Sequence, residues 1–204
     1  MKYIKWKSMV ITCLVCLLPI LLGISLWDEL PDSIAIHFNF HNEPDNFAPK
    51  GFVVFGLPIL MMLMQMFCCI VTDTNSHKYG TQKKFERVVK WILPCVTLVL
   101  QIATLGYSLG WSIDIRRVAV LLVCTLFIAI GNYLPKLDYI KNYRVDIEKA
   151  RKINRFLGYE LVIMGLLGLV TLFLPPITSV IWLILLIPYT IISLLYGIKV
   201  ERSE

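Results

Sequence analysis

The sequence predicts an all-α, polytopic membrane protein: a six-helix transmembrane bundle with a short extended segment in its first outer loop. The chain has 204 residues, of which 57% are hydrophobic and 17% are charged, and its mean hydropathy is +0.72. Both values lie far from those of a soluble domain. The charged residues are grouped between long apolar runs. No run shows the alternation that a membrane β-barrel requires, so we expect helices to be the spanning elements.

Each predicted span is an apolar run close to the length of about 20 residues that crosses the hydrocarbon core as a helix. The first run follows a basic N-terminal tail, as a secretory signal peptide would. It is too long for a signal peptide, and no suitable cleavage site follows it, so we expect an uncleaved helix. The fourth run is the shortest. The six predicted spans are residues 8–27, 51–72, 89–110, 118–134, 156–174 and 177–199.

The positions of lysine and arginine predict the orientation. The N-terminal tail, the 73–90 loop, the 135–155 loop and the C-terminal tail carry three, five, seven and two of the 20 basic residues. The other side carries Lys50, Arg116 and Arg117. Because cytoplasmic loops are enriched in lysine and arginine, we expect both termini in the cytoplasm of a bacterial cell and the 28–50 loop outside. The net charge of +6 then reflects topology, and direct nucleic-acid binding is not expected.

The spans themselves contain few groups that could perform chemistry. Glu160 lies in the fifth predicted span, close to its start. Gln65 and Gln101 are expected to form hydrogen bonds between helices. The six cysteines lie in predicted spans, which argues against a disulfide framework. The sequence contains no H-E-x-x-H, G-x-S-x-G or phosphate-loop motif. We therefore expect neither an enzyme nor a cofactor.

The residue pattern of the first outer loop predicts its local structure. Ile34, Ile36, Phe38 and Phe40 alternate with Ala35, His37, Asn39 and His41, which predicts an extended segment with its apolar side on the helix ends. A turn at residues 42–45 follows. On a strand the two histidines would be about 13 Å apart, too far to share a zinc ion. Five acidic residues between 28 and 45 favour cationic ligands.

Three motifs resemble known families. Leu30-Pro31-x-x-Ile34-x-Ile36-His37-Phe38-Asn39, with Pro44-Asp45 and Lys50, resembles a small uncharacterised domain that begins many bacterial membrane proteins. Gly131-Asn132-Tyr133-Leu134-Pro135-Lys136 resembles the G-N-Y-x-P-K signature of the SdpI family of toxin-immunity membrane proteins, and Arg155-Phe156-Leu157-Gly158 is similar to the start of that family's next helix. The resemblance divides the chain into a helix-loop-helix domain at 1–72 and a four-helix SdpI-like region at 73–204.

The resemblance implies resistance to a secreted membrane-active peptide toxin and signalling to a cytosolic transcriptional repressor. A small lipid or hydrophobic-solute transporter is the alternative function, and a membrane enzyme using the face of His37 and Asn39 is a third. The loop differs from the family in having Asn42 in place of the glycine of the turn, and asparagine tolerates the left-handed backbone that such a turn needs. The residues expected to sense the peptide are His37, Phe38, Asn39, Asn42, Pro44 and Asp45.

The 136–155 loop is the most basic segment. Ile140, Tyr143, Ile147 and Ala150 recur at helical spacing between basic residues, which predicts an amphipathic helix at the inner headgroup boundary. This helix either only enforces topology or docks a cytosolic partner. The family's G-I-R-T-P-W-T stretch, which follows its P-K motif, is missing here, and this weakens the docking interpretation. The residues expected to dock a partner are Lys149, Arg151, Lys152 and Arg155.

Overall fold

A computed structural model describes residues 3–39, 41–79, 83–137 and 146–202 and confirms the predicted fold class. Within these residues, six helices are long and apolar enough to cross a membrane. A turn of π-helix, Phe52–Gly56, leads into α2, and a 3-10 turn, Leu134–Lys136, follows α4. The helices are α1 Trp6–Ser25, α2 Leu57–Tyr79, α3 Lys83–Ser108, α4 Ile115–Tyr133, α5 Ile147–Thr171 and α6 Pro176–Arg202.

Each helix extends beyond its predicted span at one end or both, most clearly α5 at its start. The apolar run begins at residue 156, but α5 begins at Ile147, where the Asp146 side chain accepts hydrogen bonds from the backbone N–H groups of Glu148 and Lys149. Residues 147–155, predicted to form an amphipathic helix, are helical and form the first turns of α5. Their position at the inner headgroup boundary stays a prediction. The remaining part of that prediction, including Ile140 and Tyr143, lies outside the described residues.

The chain forms two compact units. The first contains α1, the loop that follows it, α2 as far as His77, and α3 from Glu86 on to Ala119. Its core joins the loop to the helices, since Ile34, Val53 and Leu105 are completely buried in one cluster. Gln101 donates a 2.8 Å hydrogen bond from Nε2 to the carbonyl oxygen of Val53. This bond confirms the predicted role of Gln101 between helices.

The second unit contains α4 from Val120, α5 and α6. Here the helices approach closely at glycines: a Cβ atom added at Gly165 would lie 2.9 Å from the carbonyl oxygen of Cys124, and one at Gly168 would lie 2.6 Å from the Trp182 ring. Small residues allow such close backbone packing in membranes. Glu160, which the sequence places in a span, accepts a 2.6 Å hydrogen bond from the Ser193 hydroxyl.

The loop between α1 and α2 folds into a β-hairpin. Strand β1, Ser33–Phe38, pairs antiparallel with β2, Pro44–Pro49. The first strand was predicted and the second was not. The turn was predicted at residues 42–45, but β2 already begins at Pro44, so the turn lies earlier in the chain than expected. Ile36 was expected on the buried side but is 40% exposed, whereas Ala35 is buried. The cause is an irregularity in the pairing between Ala35 and His37, because a β-bulge breaks the strict alternation of sides.

Candidate functional site

The hairpin turn depends on Asn42. Its backbone has a φ of 66°, the left-handed conformation that asparagine tolerates better than most residues, as the sequence predicted. The side-chain Oδ1 accepts a 2.8 Å hydrogen bond from the backbone N–H of Ile115, and Nδ2 donates at 3.2 Å to the carbonyl oxygen of Ile113. Asn42 thus joins the hairpin to the start of α4. Both polar atoms of its side chain take part in these hydrogen bonds.

Asn39 closes the same turn from within. Its Oδ1 accepts hydrogen bonds from the backbone N–H groups of His41 and Glu43, at 2.9 and 3.0 Å. Its Nδ2 donates to the Glu43 carboxylate at 3.0 Å. Side chains that bind the backbone in this way stabilise turns. Asn39 therefore fixes the shape of the turn, and any contact that it makes with a ligand would be additional to this role.

The exposed side chains of the hairpin include a polar pair and two apolar residues. His37 Nδ1 lies 2.5 Å from Asp45 Oδ1, and these side chains are 67% and 44% exposed. On the same two strands Ile36 and Phe47 are 40% and 53% exposed. Among the described residues there is no cluster of three or more potential metal ligands. The arrangement is suited to binding a ligand that carries both polar and apolar groups, and we call Ile36, His37, Asp45 and Phe47 the hairpin face.

Phe38 and Lys50 hold the hairpin against the helices. The Phe38 ring meets Tyr107 of α3 edge to face, with 4.7 Å between centroids. Lys50 donates from Nζ to the carbonyl oxygen of Leu30 at 3.2 Å, lies 3.3 Å from the Asp32 carboxylate, and sits 4.9 Å from the centre of a Trp27 ring. Lys50, at the end of the loop, therefore joins that end to the beginning of the loop. Pro44, another of the predicted sensing residues, is the first residue of β2 and pairs with Phe38.

The two sequence motifs of the second unit meet in space. A Cβ atom added at Gly131 would lie 2.6 Å from the carbonyl oxygen of Gly158, and one at Gly158 would lie 2.5 Å from Pro135. The G-N-Y-x-P-K stretch thus packs directly on the glycine of the stretch at 155–158. Lys136 donates at 2.9 Å to the Asn132 side chain, and its Nζ lies 5.7 Å from the centre of the Tyr133 ring. The glycines and the proline of these motifs serve helix packing.

The residues predicted to dock a partner lie on the first turns of α5. Arg151, Lys152 and Arg155 line a groove of about 830 Å³, to which α6 contributes Tyr196. Lys149 is adjacent in sequence and does not line the groove.

A buried group of charges in the first unit was not recognised in the sequence. Lys90 Nζ lies 2.5 Å from Asp73 Oδ1, and the two side chains are 2% and 0% exposed. Asp73 also accepts a 2.9 Å hydrogen bond from the backbone N–H of Lys5, whose ammonium group pairs with buried Glu86. Gln65 bridges α1 and α3, as predicted, by donating to the Thr12 hydroxyl and the Lys90 carbonyl oxygen at 2.8 Å. Lys90, counted above as a loop residue, is a buried residue of α3.

These features define a multi-pass helical membrane protein with an anchored hairpin between its first two spans. Residues 14–62, which include the hairpin, match a family model described as a domain of unknown function, DUF1648. The chain is similar to immunity protein SdpI of Bacillus subtilis (strain 168), with 24% identity over 168 residues that cover 78% of each sequence. The resemblance to the SdpI family is thereby confirmed. No solved structure matches the chain.

Proposed function

We propose that this protein is an integral membrane immunity or sensing protein that gives resistance to a secreted membrane-active peptide. The observation that carries the proposal is the similarity to an immunity protein across 78% of both sequences. The distribution of basic residues supports a bacterial cell membrane location with both termini in the cytoplasm. In that orientation the hairpin faces the side from which a secreted peptide arrives.

The hairpin face is the proposed recognition surface. A peptide that inserts into membranes presents apolar side chains together with polar or cationic groups, and Ile36 and Phe47 offer apolar contact beside the polar pair of His37 and Asp45. Asn42 fixes the hairpin to the start of α4, so little conformational entropy is lost when a ligand binds. Pre-organisation of this kind favours specific recognition.

Deleting the gene in its host tests the immunity proposal. Growth of the deletion strain should be inhibited by culture medium from the parent strain, and the parent should be unaffected. Reintroducing the wild-type gene should restore resistance. Equal growth of both strains in that medium, under conditions in which the parent expresses the protein, would contradict a self-immunity function.

Two substitutions on the hairpin test the recognition surface separately. His37→Ala with Asp45→Asn should leave membrane abundance unchanged and reduce protection, because both side chains are exposed. His77→Ala is the matched control, since His77 stacks on Tyr3 away from the hairpin, at the opposite end of α2. Full protection by the double variant at normal abundance would exclude these residues from recognition.

A transporter of lipid or hydrophobic solute is the alternative function, and the two can be separated in proteoliposomes. A transporter should move a fluorescent lipid or hydrophobic solute across the bilayer faster than empty liposomes do. An immunity protein should protect cells without such flux. If wild type shows this flux, and a variant that has lost the flux also fails to protect cells, the transporter function is favoured.

Signalling to a cytosolic repressor stays a prediction of the family resemblance. Its surface would be the basic first turns of α5, where Lys149, Arg151, Lys152 and Arg155 lie. Lys149→Glu with Lys152→Glu should then abolish recovery of a cytosolic partner from solubilised membranes while insertion stays normal. Recovery of the same partners with and without these changes would exclude the docking role.

A further inference from the structure

The groove beside α5 is lined by both basic and aromatic side chains. It lies between the first turns of α5 and the last turns of α6. Its charged residues precede its aromatic residues along α5, so one end of the groove is cationic and the other is apolar. The residues that carry the argument are Arg151, Lys152, Arg155, Phe156, Tyr159 and Tyr196.

The cationic end of the groove is suited to a phosphate group. Arg151, Lys152 and Arg155 are exposed and recur on one side of the helix. Among the described residues that line the groove, Glu148 is the acidic one. Arginine binds phosphate oxygens through two parallel N–H groups. The positive end of the helix dipole at Ile147 adds to the same potential. The balance of charge therefore favours an anionic ligand.

The aromatic end of the groove is suited to the glycerol and upper acyl region of a lipid. Phe156 stacks on Tyr196 of α6 with 3.9 Å between ring centroids, and Tyr159 is 64% exposed. Aromatic rings of this kind concentrate where the headgroups meet the hydrocarbon. The distance along α5 from Glu148 to Tyr159 is about 16 Å at the helical rise, comparable to the depth of a headgroup region and the first part of the acyl chains.

We propose that this groove is a binding site for an anionic glycerophospholipid. Its phosphate is held by Arg151 and Arg155, Lys152 contributes to the potential, and Phe156 and Tyr159 contact the glycerol and acyl carbons. A soluble phosphate compound or an acidic protein segment would match the cationic end alone and would leave the aromatic end without a matching partner. This inference does not rest on the proposed recognition surface, because the hairpin lies in the other unit of the chain.

Native mass spectrometry of the purified full-length protein tests the proposal directly. The protein is exchanged into mixed micelles with phosphatidylglycerol and phosphatidylethanolamine of equal chain length, and the lipid retained is measured. Wild type should retain phosphatidylglycerol preferentially. Arg151→Gln with Arg155→Gln should weaken that binding about 25-fold, because each cation near an anionic lipid contributes about five-fold in affinity. Lys149→Gln, which removes the same kind of charge outside the groove, should change it little.

Each outcome bears on the proposal. Equal retention of the two lipids by wild type overturns it whatever the variants do, as does equal weakening by Lys149→Gln and by the double arginine variant. Displacement of the lipid by millimolar inorganic phosphate would identify a site for soluble phosphate instead. Loss of a cytosolic partner in the arginine variant with unchanged lipid selectivity would identify a protein-docking surface. If the double variant aggregates, Tyr159→Ala should still reduce retention of phosphatidylglycerol, and an unchanged value would contradict the proposal.

Discussion

Replacing Lys90 by methionine should destabilise the first unit strongly. The Lys90 and Asp73 side chains are 2% and 0% exposed and form an ion pair at 2.5 Å. In Lys90→Met the Asp73 carboxylate stays buried, with the backbone N–H of Lys5 as a remaining donor. Removing one partner of a buried ion pair costs about 3–5 kcal/mol, mainly because the other charge is left without compensation.

The size of this effect can be measured as a shift in melting temperature. For a chain of this length, 1 kcal/mol corresponds to about 2–4 °C, so Lys90→Met should melt about 6–20 °C below wild type. Thermal unfolding in detergent can be followed by tryptophan fluorescence and by the fraction that remains monodisperse. Lys84→Met is the matched control: Lys84 is an exposed lysine of the same helix, and its replacement should change stability by less than about 0.5 kcal/mol.

A double variant separates the cost of an unpaired charge from the value of the pair. Replacing both partners by apolar side chains is often close to neutral, so Asp73→Leu with Lys90→Met should recover most of the stability lost in Lys90→Met. The Gln65 bond is preserved because it goes to the backbone oxygen of residue 90. The reasoning would be refuted if Lys90→Met melted within 2 °C of wild type. It would also be refuted if the double variant were no more stable than the single one.

Three further predictions concern topology, the turn and helix packing. Reporter fusions after Asp45 should read external and those after Ser76 cytoplasmic, and a cytoplasmic reading at Asp45 would reverse the proposed orientation. Asn42→Val should reduce the amount of folded protein, measured by size-exclusion chromatography, because a β-branched residue is disfavoured at a φ of 66° and two hydrogen bonds are lost. Gly158→Ala should destabilise the second unit by about 1–3 kcal/mol in a thermal melt. Gly197→Ala, where a Cβ atom meets nothing within 4 Å, should have little effect, and equal melting of these two variants would contradict the packing argument.

The six spans could be predicted because the length of an apolar run is a local property of the sequence. The residue at which a helix begins or ends is determined less by the local sequence. Hydropathy places the start of the fifth span at residue 156, but backbone hydrogen bonding continues through polar residues to the cap at Asp146. The turn at Asn42 was also predictable, since few residue types adopt a left-handed backbone. The bulge at Ile36 was not, because it depends on the pairing with β2.

The parts of the candidate site that could not be predicted are those that join distant residues. Asp73 and Lys90 are 17 residues apart on different helices, and each looks like an ordinary charge at the end of a span. Nothing in the sequence around Gly131 or Gly158 shows that the two motifs touch. The exposure of Phe47 is equally unpredictable, because a single phenylalanine between polar residues and prolines has no periodic pattern to place it.

The hydrogen bond between Asn42 and Ile115 sets an order for the biogenesis of this protein. The two residues are 73 positions apart, and synthesis proceeds at about 5–20 residues per second. For about 4–15 s after the ribosome has added Asn42, the backbone that anchors its side chain has not yet been made. During that interval the nascent hairpin has only its own strands and the first helices for support. Chaperones or proteases at the membrane surface would encounter the hairpin before it is anchored. This state ends when α4 enters the bilayer.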